Sequence, residues 1–349
     1  MRRLLLVTMT VSLSATVLVR AADDLVIVRF NDYLDALRTQ AGIPGLGVAL
    51  LRSVEGNWEQ GLGQADVEQA LPARPDMPLQ VDGTTQIVTA AIVLRCVEEG
   101  KLSLDDRVDK YAPGIADGSL TIRQVLSHTS GSANNLVFSY RPDRLNTLLG
   151  ASVVACTGRS LRQSFADLLD RFAMVDSVPG PDVLTAGDAF PGSLLDRFRG
   201  SLARLAKPYA VDSRGRPSPS QYAASMLAPA AGLISTARDL AKFDLSLRQG
   251  AWLRSDSLAL AWTAPADANG SRLPHGLGWF VQSYNGERLV WQFGVGDNAS
   301  SSMILTLPSR GMTLVLVANS QGLARPFSLS AGDVTVSPFA KLFLSVFVR

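Results

Sequence analysis

The last third of the chain contains four short apolar runs separated by turn residues, and this pattern constrains the fold more than any other feature. The runs cover residues 277–282, 288–293, 301–307 and 312–318, with Gly, Asn, Pro and Arg between them. Connections this short join antiparallel neighbours. The pattern therefore predicts an antiparallel meander. Near the other end of the chain, residues 45–53 and 58–67 predict a second pair of strands.

Segments with helical spacing lie between and around these strands. They cover residues 25–40, 84–99, 121–127, 145–156, 160–172 and 338–348. The order of elements predicts an α+β fold, in which one antiparallel sheet built from both ends of the chain is flanked by helices and carries an inserted, mostly helical region. The sheet part is expected at about 24–81 and 230–349 and the helical part at about 82–229. A crevice between the two parts is the expected ligand site.

The charge balance excludes some classes of partner. The chain has 349 residues with 33 Lys and Arg against 31 Asp and Glu, so its net charge is only +2. Charges of both signs are interspersed, which disfavours nucleic acid or an anionic membrane surface as a partner.

The N-terminus predicts export. Arg2 and Arg3 precede a moderately apolar run over residues 4–19, and Val19-Arg20-Ala21 fits a cleavage site for a signal peptide. Residues 1–21 are therefore expected to be removed near Ala21, which leaves residues 22–349 in the periplasm or outside the cell without a stable membrane span. A retained anchor is the alternative, but a run of 16 residues with five hydroxyl side chains is short for one.

The cysteines and histidines do not form a recognisable metal motif. Cys96 and Cys156 both lie in apolar, helical-looking segments, so two buried free thiols are expected rather than a disulfide. His128, in the turn His-Thr-Ser-Gly, is expected to have a structural hydrogen-bonding role, and His275 is expected at the surface. Two separated histidines without a cysteine cluster predict no metal site, and no cofactor is expected.

Four segments in this order resemble one family of serine hydrolases. The family comprises class C β-lactamases, D-Ala-D-Ala carboxypeptidases and related penicillin-binding-protein-like esterases. The segments are Gly-Lys-Leu-Ser-Leu-Asp-Asp at 100–106 with Thr-Ile-Arg-Gln-Val-Leu-Ser-His-Thr-Ser-Gly at 121–131, Gly-Leu-Ile-Ser-Thr-Ala-Arg-Asp-Leu at 232–240, Gly-Leu-Gly-Trp at 276–279 and Val-Ala-Asn-Ser at 317–320. The resemblance implies a shared fold over nearly the whole chain after the signal.

The resemblance also implies three catalytic clusters. Ser-x-x-Lys at a helix start supplies a nucleophile and its base one turn apart. Tyr-x-Asn supplies a second proton-transfer group, and Lys-Thr-Gly or His-x-Gly on a late strand holds the substrate and its oxyanion.

In this chain most of these positions hold other residues. The nucleophile position is Gly83 and the base position is Gln86. Tyr140 keeps the tyrosine, Pro142 replaces the asparagine, and Gln292 replaces the basic residue before the retained Gly294. A second alignment register would put Arg141 and Asp143 at the Tyr-x-Asn positions, and it does not restore the asparagine either.

A count of lysines shows that this loss is not an alignment error. Residues three positions before the five lysines are never serine; the lysines are Lys101, Lys110, Lys207, Lys242 and Lys341. The chain also lacks the Gly-x-Ser-x-Gly motif of α/β-hydrolases.

The sequence therefore predicts an exported homologue that is catalytically impaired or inactive but keeps a ligand cleft. Tyr140, Thr84 and Gly294 are the candidate binding residues, and the resemblance implies a cell-wall peptide, a β-lactam or a small ester as ligand. The alternative is an active amide or ester hydrolase with an altered site, for example with Thr84 or Thr85 as nucleophile and Tyr140 as base.

At the helix start, Asp82 or Thr84 is expected to cap the helix and Gly83 to make the turn.

Overall fold

A computed structural model of the protein describes residues 25–52, 56–132 and 134–348. The predicted signal at 1–21 lies outside the described residues. Within them, no helix is long and apolar enough to cross a membrane.

A seven-stranded antiparallel sheet forms the centre of the fold. The strands are β1 (Gly45–Leu51), β2 (Trp58–Asp66), β3 (Leu71–Pro72), β10 (Phe280–Tyr284), β11 (Glu287–Gly296), β12 (Ser300–Leu307) and β13 (Met312–Ala318). They run in the order β10-β11-β12-β13-β1-β2-β3, so the N-terminal pair joins the C-terminal meander at the β13–β1 contact. Leu46 of β1 pairs there with Ala318 of β13. The predicted sheet built from both ends of the chain is confirmed.

In the described part of the chain, three pairs of short strands lie outside the large sheet. They are β4 (Leu79–Gln80) with β9 (Ile234–Ser235), β5 (Thr129–Ser132) with β6 (Asn135–Phe138), and β7 (Tyr209–Val211) with β8 (Pro217–Pro219).

Helices cover both faces of the sheet. The first helix, α1, spans residues 25–40. The others are α2 (Thr85–Glu98), α3 (Ile122–Leu126), α4 (Pro142–Leu148), α5 (Gly150–Thr157), α6 (Leu161–Arg171), α7 (Gly192–Leu202), α8 (Ala237–Arg248), α9 (Ser255–Ala261) and α10 (Pro338–Phe347). The single helix predicted at 145–156 is two helices, α4 and α5.

Alternation along β1 divides the core into two layers. Leu46, Val48 and Leu50 face α1 and α10 and join one apolar cluster. Ala49 and Leu51 face the opposite side and belong to a second cluster that contains α2 and the helical region. Since successive side chains of a strand point to opposite faces, one strand that is buried throughout contributes to both layers.

A disulfide bond joins Cys96 in α2 to Cys156 in α5. The expectation of two free thiols was therefore wrong. Both cysteines are buried, as expected. However, α5 packs beside α2 and places Cys156 opposite Cys96, 60 residues away in sequence, with a Cα–Cα distance of 6.0 Å.

Candidate active-site cleft

The start of α2 is built by a 3₁₀ turn, Asp82–Thr84. Asp82 has a φ of 48°, so it, and not Gly83, adopts the left-handed conformation of the turn. Neither the Asp82 nor the Thr84 side chain accepts a capping hydrogen bond from the helix backbone, so the expected cap is absent at these two residues. The Asp82 carboxyl instead accepts a hydrogen bond from the Ser300 hydroxyl at 2.6 Å.

Gly83 lies in contact with strand β11. A Cβ atom added to Gly83 would lie 2.7 Å from the carbonyl oxygen of Phe293 and 3.4 Å from both the Gly294 Cα and the Tyr140 hydroxyl. Real Cβ atoms do not approach a backbone oxygen so closely, so a side chain at this position requires the strand to move. The nucleophile position therefore lacks both the hydroxyl and the space for it.

Gly294, on the β11 side of this contact, is also closely packed. A Cβ added to Gly294 would lie 2.0 Å from the Val81 carbonyl oxygen. Ser302 on the adjacent strand β12 donates to the same Val81 oxygen at 2.7 Å, and its hydroxyl also shares a 2.7 Å hydrogen bond with Thr84. The start of α2 is thus held against β11 and β12, and Thr84 and Gly294 lie within that contact rather than on the surface of the cleft.

Gln86, at the position of the family's base, is fully buried and hydrogen-bonded through both ends of its amide. Its Nε2 donates to the Gly83 carbonyl oxygen at 3.0 Å and to the Tyr140 hydroxyl at 2.8 Å. Its Oε1 lies 2.8 Å from Nε2 of His128. The amide therefore fills the place of a base with a group that cannot accept a proton near neutral pH.

The surrounding bonds determine the tautomer of His128. The backbone N–H of Arg141 donates to Nδ1 at 2.9 Å, so Nδ1 carries no proton. Nε2 then carries the proton and donates it to Gln86 Oε1. Burial, together with the neighbouring His275, lowers the pKa of His128 well below its ordinary value. His128 therefore remains neutral and structural.

Tyr140 lies over this network with its ring among other aromatic side chains. Its ring centroid is 4.6 Å from that of His128 and 5.4 Å from that of Phe293. Burial raises the pKa of the Tyr140 hydroxyl, and the hydrogen bond from Gln86 opposes this rise. A tyrosine with a raised pKa stays protonated at neutral pH and is a poor general base.

Gln292 and His275 lie below Tyr140. Gln292 Nε2 donates to the Gly278 carbonyl oxygen at 3.0 Å, and its Oε1 is 3.5 Å from the Tyr140 hydroxyl.

His275 is fully buried, so the prediction of surface exposure was wrong. The chain turns inward before β10, and His275 Nδ1 donates to the Gly276 carbonyl oxygen at 2.8 Å. Burial lowers the pKa of His275 to about 3.

Pro142, at the expected asparagine position, begins α4 and lines the cleft. Arg141 and Asp143, the pair in the alternative register, form an exposed ion pair at 2.7 Å. Neither register places an amide side chain from these positions in the cleft. Asn146, one turn further along α4, lines the cleft instead, and its Oδ1 accepts from the Ala230 backbone N–H at 2.6 Å.

A cleft of about 380 Å³ remains beside these residues. Of the sequence-predicted positions it brings together Gly83, Tyr140 and Pro142, whereas Gln86, Gln292, Thr84 and Gly294 are not on its surface. Its wall is completed by Asp82, Asp143, Asn146, Ala223, Ala224, Ala230, Ala231, Phe293, Val295, Gly296 and Asp297.

Asp82 is the most perturbed acid in the cleft. Its burial raises the pKa to about 7, the hydrogen bond from Ser300 opposes the rise, and the charge of Asp297 adds to it. The sequence showed Asp82 beside the helix start but gave no sign of Ser300 or Asp297, because Asp297 lies in the β11–β12 turn and Ser300 begins β12, both more than 200 residues away. Within the described residues, no group of three or more His, Cys, Asp or Glu could hold a metal ion.

Comparison with known proteins agrees with this architecture. A profile of the Beta-lactamase family matches residues 30–332. The bovine serine beta-lactamase-like protein LACTB, mitochondrial, is 33% identical over 110 residues, which is 29% of this chain and 19% of that protein. The matched segment thus spans about a fifth of this curated relative.

Solved structures share the fold at low sequence identity. The octameric penicillin-binding protein homologue from Pyrococcus abyssi has a TM-score of 0.71 at 18% identity, over 91% of this chain and 77% of its own. A class C beta lactamase from Rhodobacter sphaeroides has a TM-score of 0.66 at 17% identity, over 91% of this chain and 99% of its own. With the fold, the ordered motifs and a profile match over most of its length, the chain belongs to the Beta-lactamase family.

Proposed function

We propose that this protein is an exported, non-catalytic member of the family, whose cleft binds a small molecule without forming an acyl-enzyme. One observation carries the proposal: Gln86 fills the base position and is hydrogen-bonded to Gly83, Tyr140 and His128. The nucleophile position beside it is a glycine packed against Phe293. The cell-wall peptides, β-lactams and small esters implied by the family are the first ligands to test.

The expected loss of activity is large. In subtilisin, removing the nucleophile alone lowers kcat by about 10⁶-fold. Here the nucleophile and the base are both replaced, and the tyrosine that remains has no neighbouring lysine from the helix to lower its pKa. These replacements support a prediction of negligible turnover.

An active enzyme with a threonine nucleophile is less well supported. The Thr84 hydroxyl is fully buried and bonded to Ser302 at 2.7 Å. Thr85 is also fully buried, and its hydroxyl accepts from the Leu233 backbone N–H at 3.3 Å. Neither hydroxyl lines the cleft, and a reacting hydroxyl must reach the substrate carbonyl.

The disulfide supports export. Disulfide bonds persist in oxidising compartments and are rare where thiol reductants act. A bond between Cys96 and Cys156 is therefore consistent with the signal predicted at 1–21 and with a location in the periplasm or outside the cell.

Acylation is the direct test of the proposed function. The purified protein is incubated with a reporter penicillin and with an activated ester, and its intact mass is then measured. The proposal predicts no adduct from either compound and release of the reporter no faster than in buffer. A stoichiometric acyl adduct would overturn the proposal, and peptide mapping would then locate the nucleophile.

A further inference from the structure

The charges on the cleft wall are of one sign. Three of the described residues that line it are acidic, Asp82, Asp143 and Asp297, and none is Lys, Arg or His. Asp143 is neutralised by Arg141 at 2.7 Å. Asp297 is exposed, and Arg325 approaches it only to 3.9 Å. The acidic groups of the cleft that have no close cation are thus Asp82 and Asp297.

Asp82 is a buried carboxyl of which one oxygen accepts a hydrogen bond from the described residues and the other does not. Only 4% of the residue is exposed. Its Oδ2 accepts the hydrogen bond from Ser300, whereas Oδ1 has no hydrogen-bond donor or cation among the described residues. The backbone of Gly296 packs against it so closely that a Cβ there would be 2.8 Å from both carboxyl oxygens. A buried carboxylate without a cation is unfavourable, and a positively charged group in the cleft would relieve that cost.

An aromatic face lies in the same cleft. The rings of Tyr140 and Phe293 are nearly parallel, with an interplanar angle of 28°. Both residues line the cleft together with Val295. Such a face accommodates an apolar group, and aromatic rings also attract cations.

We propose that the cleft selects an organic cation, an inference that rests on the proposed binding function. The ligand is an amine whose ammonium group lies at Asp82 and whose apolar part lies on the Tyr140–Phe293 face. The Asp82 carboxylate and the Asp297 charge supply the attraction, and the alanines opposite leave room for the ligand. A carboxylate of the same shape is repelled. The preference is therefore for positively charged ligands within the wider set of small molecules considered above.

Proton release is a second readout of the same contact. Besides burial, the groups that act on the pKa of Asp82 are the Ser300 hydroxyl, which lowers it, and the Asp297 charge, which raises it. Tyr222 lies near enough that burial and the Asp82 charge both raise the pKa of its hydroxyl. An ammonium group at Asp82 favours the ionised carboxyl and lowers its pKa below the value of the free protein. Binding near pH 6 is therefore accompanied by proton release, which calorimetry in buffers of different ionisation enthalpy measures.

Three probes of one shape test the charge preference: benzylamine, benzyl alcohol and benzoate. Calorimetric titration of the full protein is expected to give at least about tenfold tighter binding for benzylamine than for benzyl alcohol, as a charged hydrogen bond implies. Benzoate is expected to bind most weakly. The Asp82→Asn variant keeps only the weaker attraction of Asp297, so it should lose most of the preference for benzylamine over benzyl alcohol and release no proton.

Two further variants keep the test decisive if Asp82→Asn folds poorly. Asp297 is exposed, so Asp297→Asn should fold normally and weaken benzylamine by a smaller factor. Asp32→Asn, on the exposed surface of α1, is the matched control and should change nothing.

Equal affinity for the amine and the alcohol, tighter binding of benzoate, or no binding of any probe would overturn the inference. These outcomes are distinct from failure of the proposed function, which an acyl adduct alone would reveal.

Discussion

Gly83 and Phe293 are in such close contact that a Cβ on Gly83 would lie 2.7 Å from the Phe293 carbonyl oxygen. The contact joins the start of α2 to strand β11 at the point where the family places its nucleophile. A side chain at residue 83 therefore requires β11 to move away from α2. We expect that a serine at this position does not by itself produce an active site.

The first prediction concerns this contact. Gly83→Ser should lower the free energy of unfolding by about 2 kcal/mol, because the added atoms force β11 away from α2. The double variant Gly83→Ser with Gln86→Lys should still form no acyl adduct with a reporter penicillin. Urea unfolding and intact mass are the measurements.

Gly192→Ser is the matched control, since nothing lies within 4 Å of a Cβ added there. Rapid acylation of the double variant, with an unfolding free energy equal to that of the wild type, would show that the cleft had kept its catalytic geometry. That outcome would contradict the prediction.

The second prediction concerns the amide of Gln86. Gln86→Leu has nearly the same volume but removes the acceptor of the buried His128 N–H and the donor to the Tyr140 hydroxyl. Each buried group left unpaired costs about 1–3 kcal/mol, so a total loss of about 3 kcal/mol is expected in urea unfolding. Gln60→Leu, on the exposed side of β2, serves as control and should be nearly neutral.

Nitrogen NMR of His128 gives an independent check. The wild-type protein should show an unprotonated Nδ1 and a protonated Nε2 down to pH values well below 6.5, and the Leu variant should lose this pattern. A wild-type His128 that titrates near its ordinary pKa would contradict the network.

The third prediction concerns pH and Asp82. Folding raises the pKa of Asp82 from 3.8 to about 7, so the native state holds this proton more tightly than the unfolded state does. The stability that Asp82 contributes is therefore full below about pH 4 and is lost as the pH rises through about 7. Asp82→Asn should remove this dependence.

The measurement is urea unfolding of wild type and variant at several pH values from 4 to 8. Their difference in unfolding free energy should change by at most about 4 kcal/mol across that range, in favour of the Asn variant at high pH. Asp32→Asn should follow the wild-type curve. Parallel curves for wild type and Asp82→Asn would contradict the raised pKa.

The fourth prediction concerns the disulfide. Replacing Cys96 and Cys156 by serine should lower the unfolding free energy by about 2–4 kcal/mol, because the bond closes a segment of 60 residues in the unfolded chain. The wild type should lose the same stability in reductant, and the double variant should be insensitive to reductant. Two free thiols in the oxidised protein, detected by alkylation and mass, would contradict the bond.

The sequence predicted the sheet well because apolar runs and the turn residues between them are local signals. The run at 312–318 corresponds residue for residue to β13. The run at 277–282 was placed too early, since β10 begins at Phe280. Gly278 has a φ of 100° and packs on Ala90 of α2, so the chain there is a tight contact rather than a strand.

Long-range contacts account for the predictions that were wrong. Pairing of Cys96 with Cys156 depends on how α5 packs beside α2, and burial of His275 depends on the turn before β10. Neither packing arrangement leaves a periodic pattern in the sequence. The partners of Asp82 were unpredictable for the same reason, since Ser300 and Asp297 meet it only after the meander packs against the helix start.

The bond between Cys96 and Cys156 also bears on proteolysis. The segment that it closes contains the β5–β6 hairpin, His128 and Tyr140. A protease that cuts this hairpin once would leave two fragments joined covalently, and they would separate on a gel only after reduction. A nicked molecule would thus keep the Tyr140 side of its cleft attached to α2, where a chain without the bond could lose it.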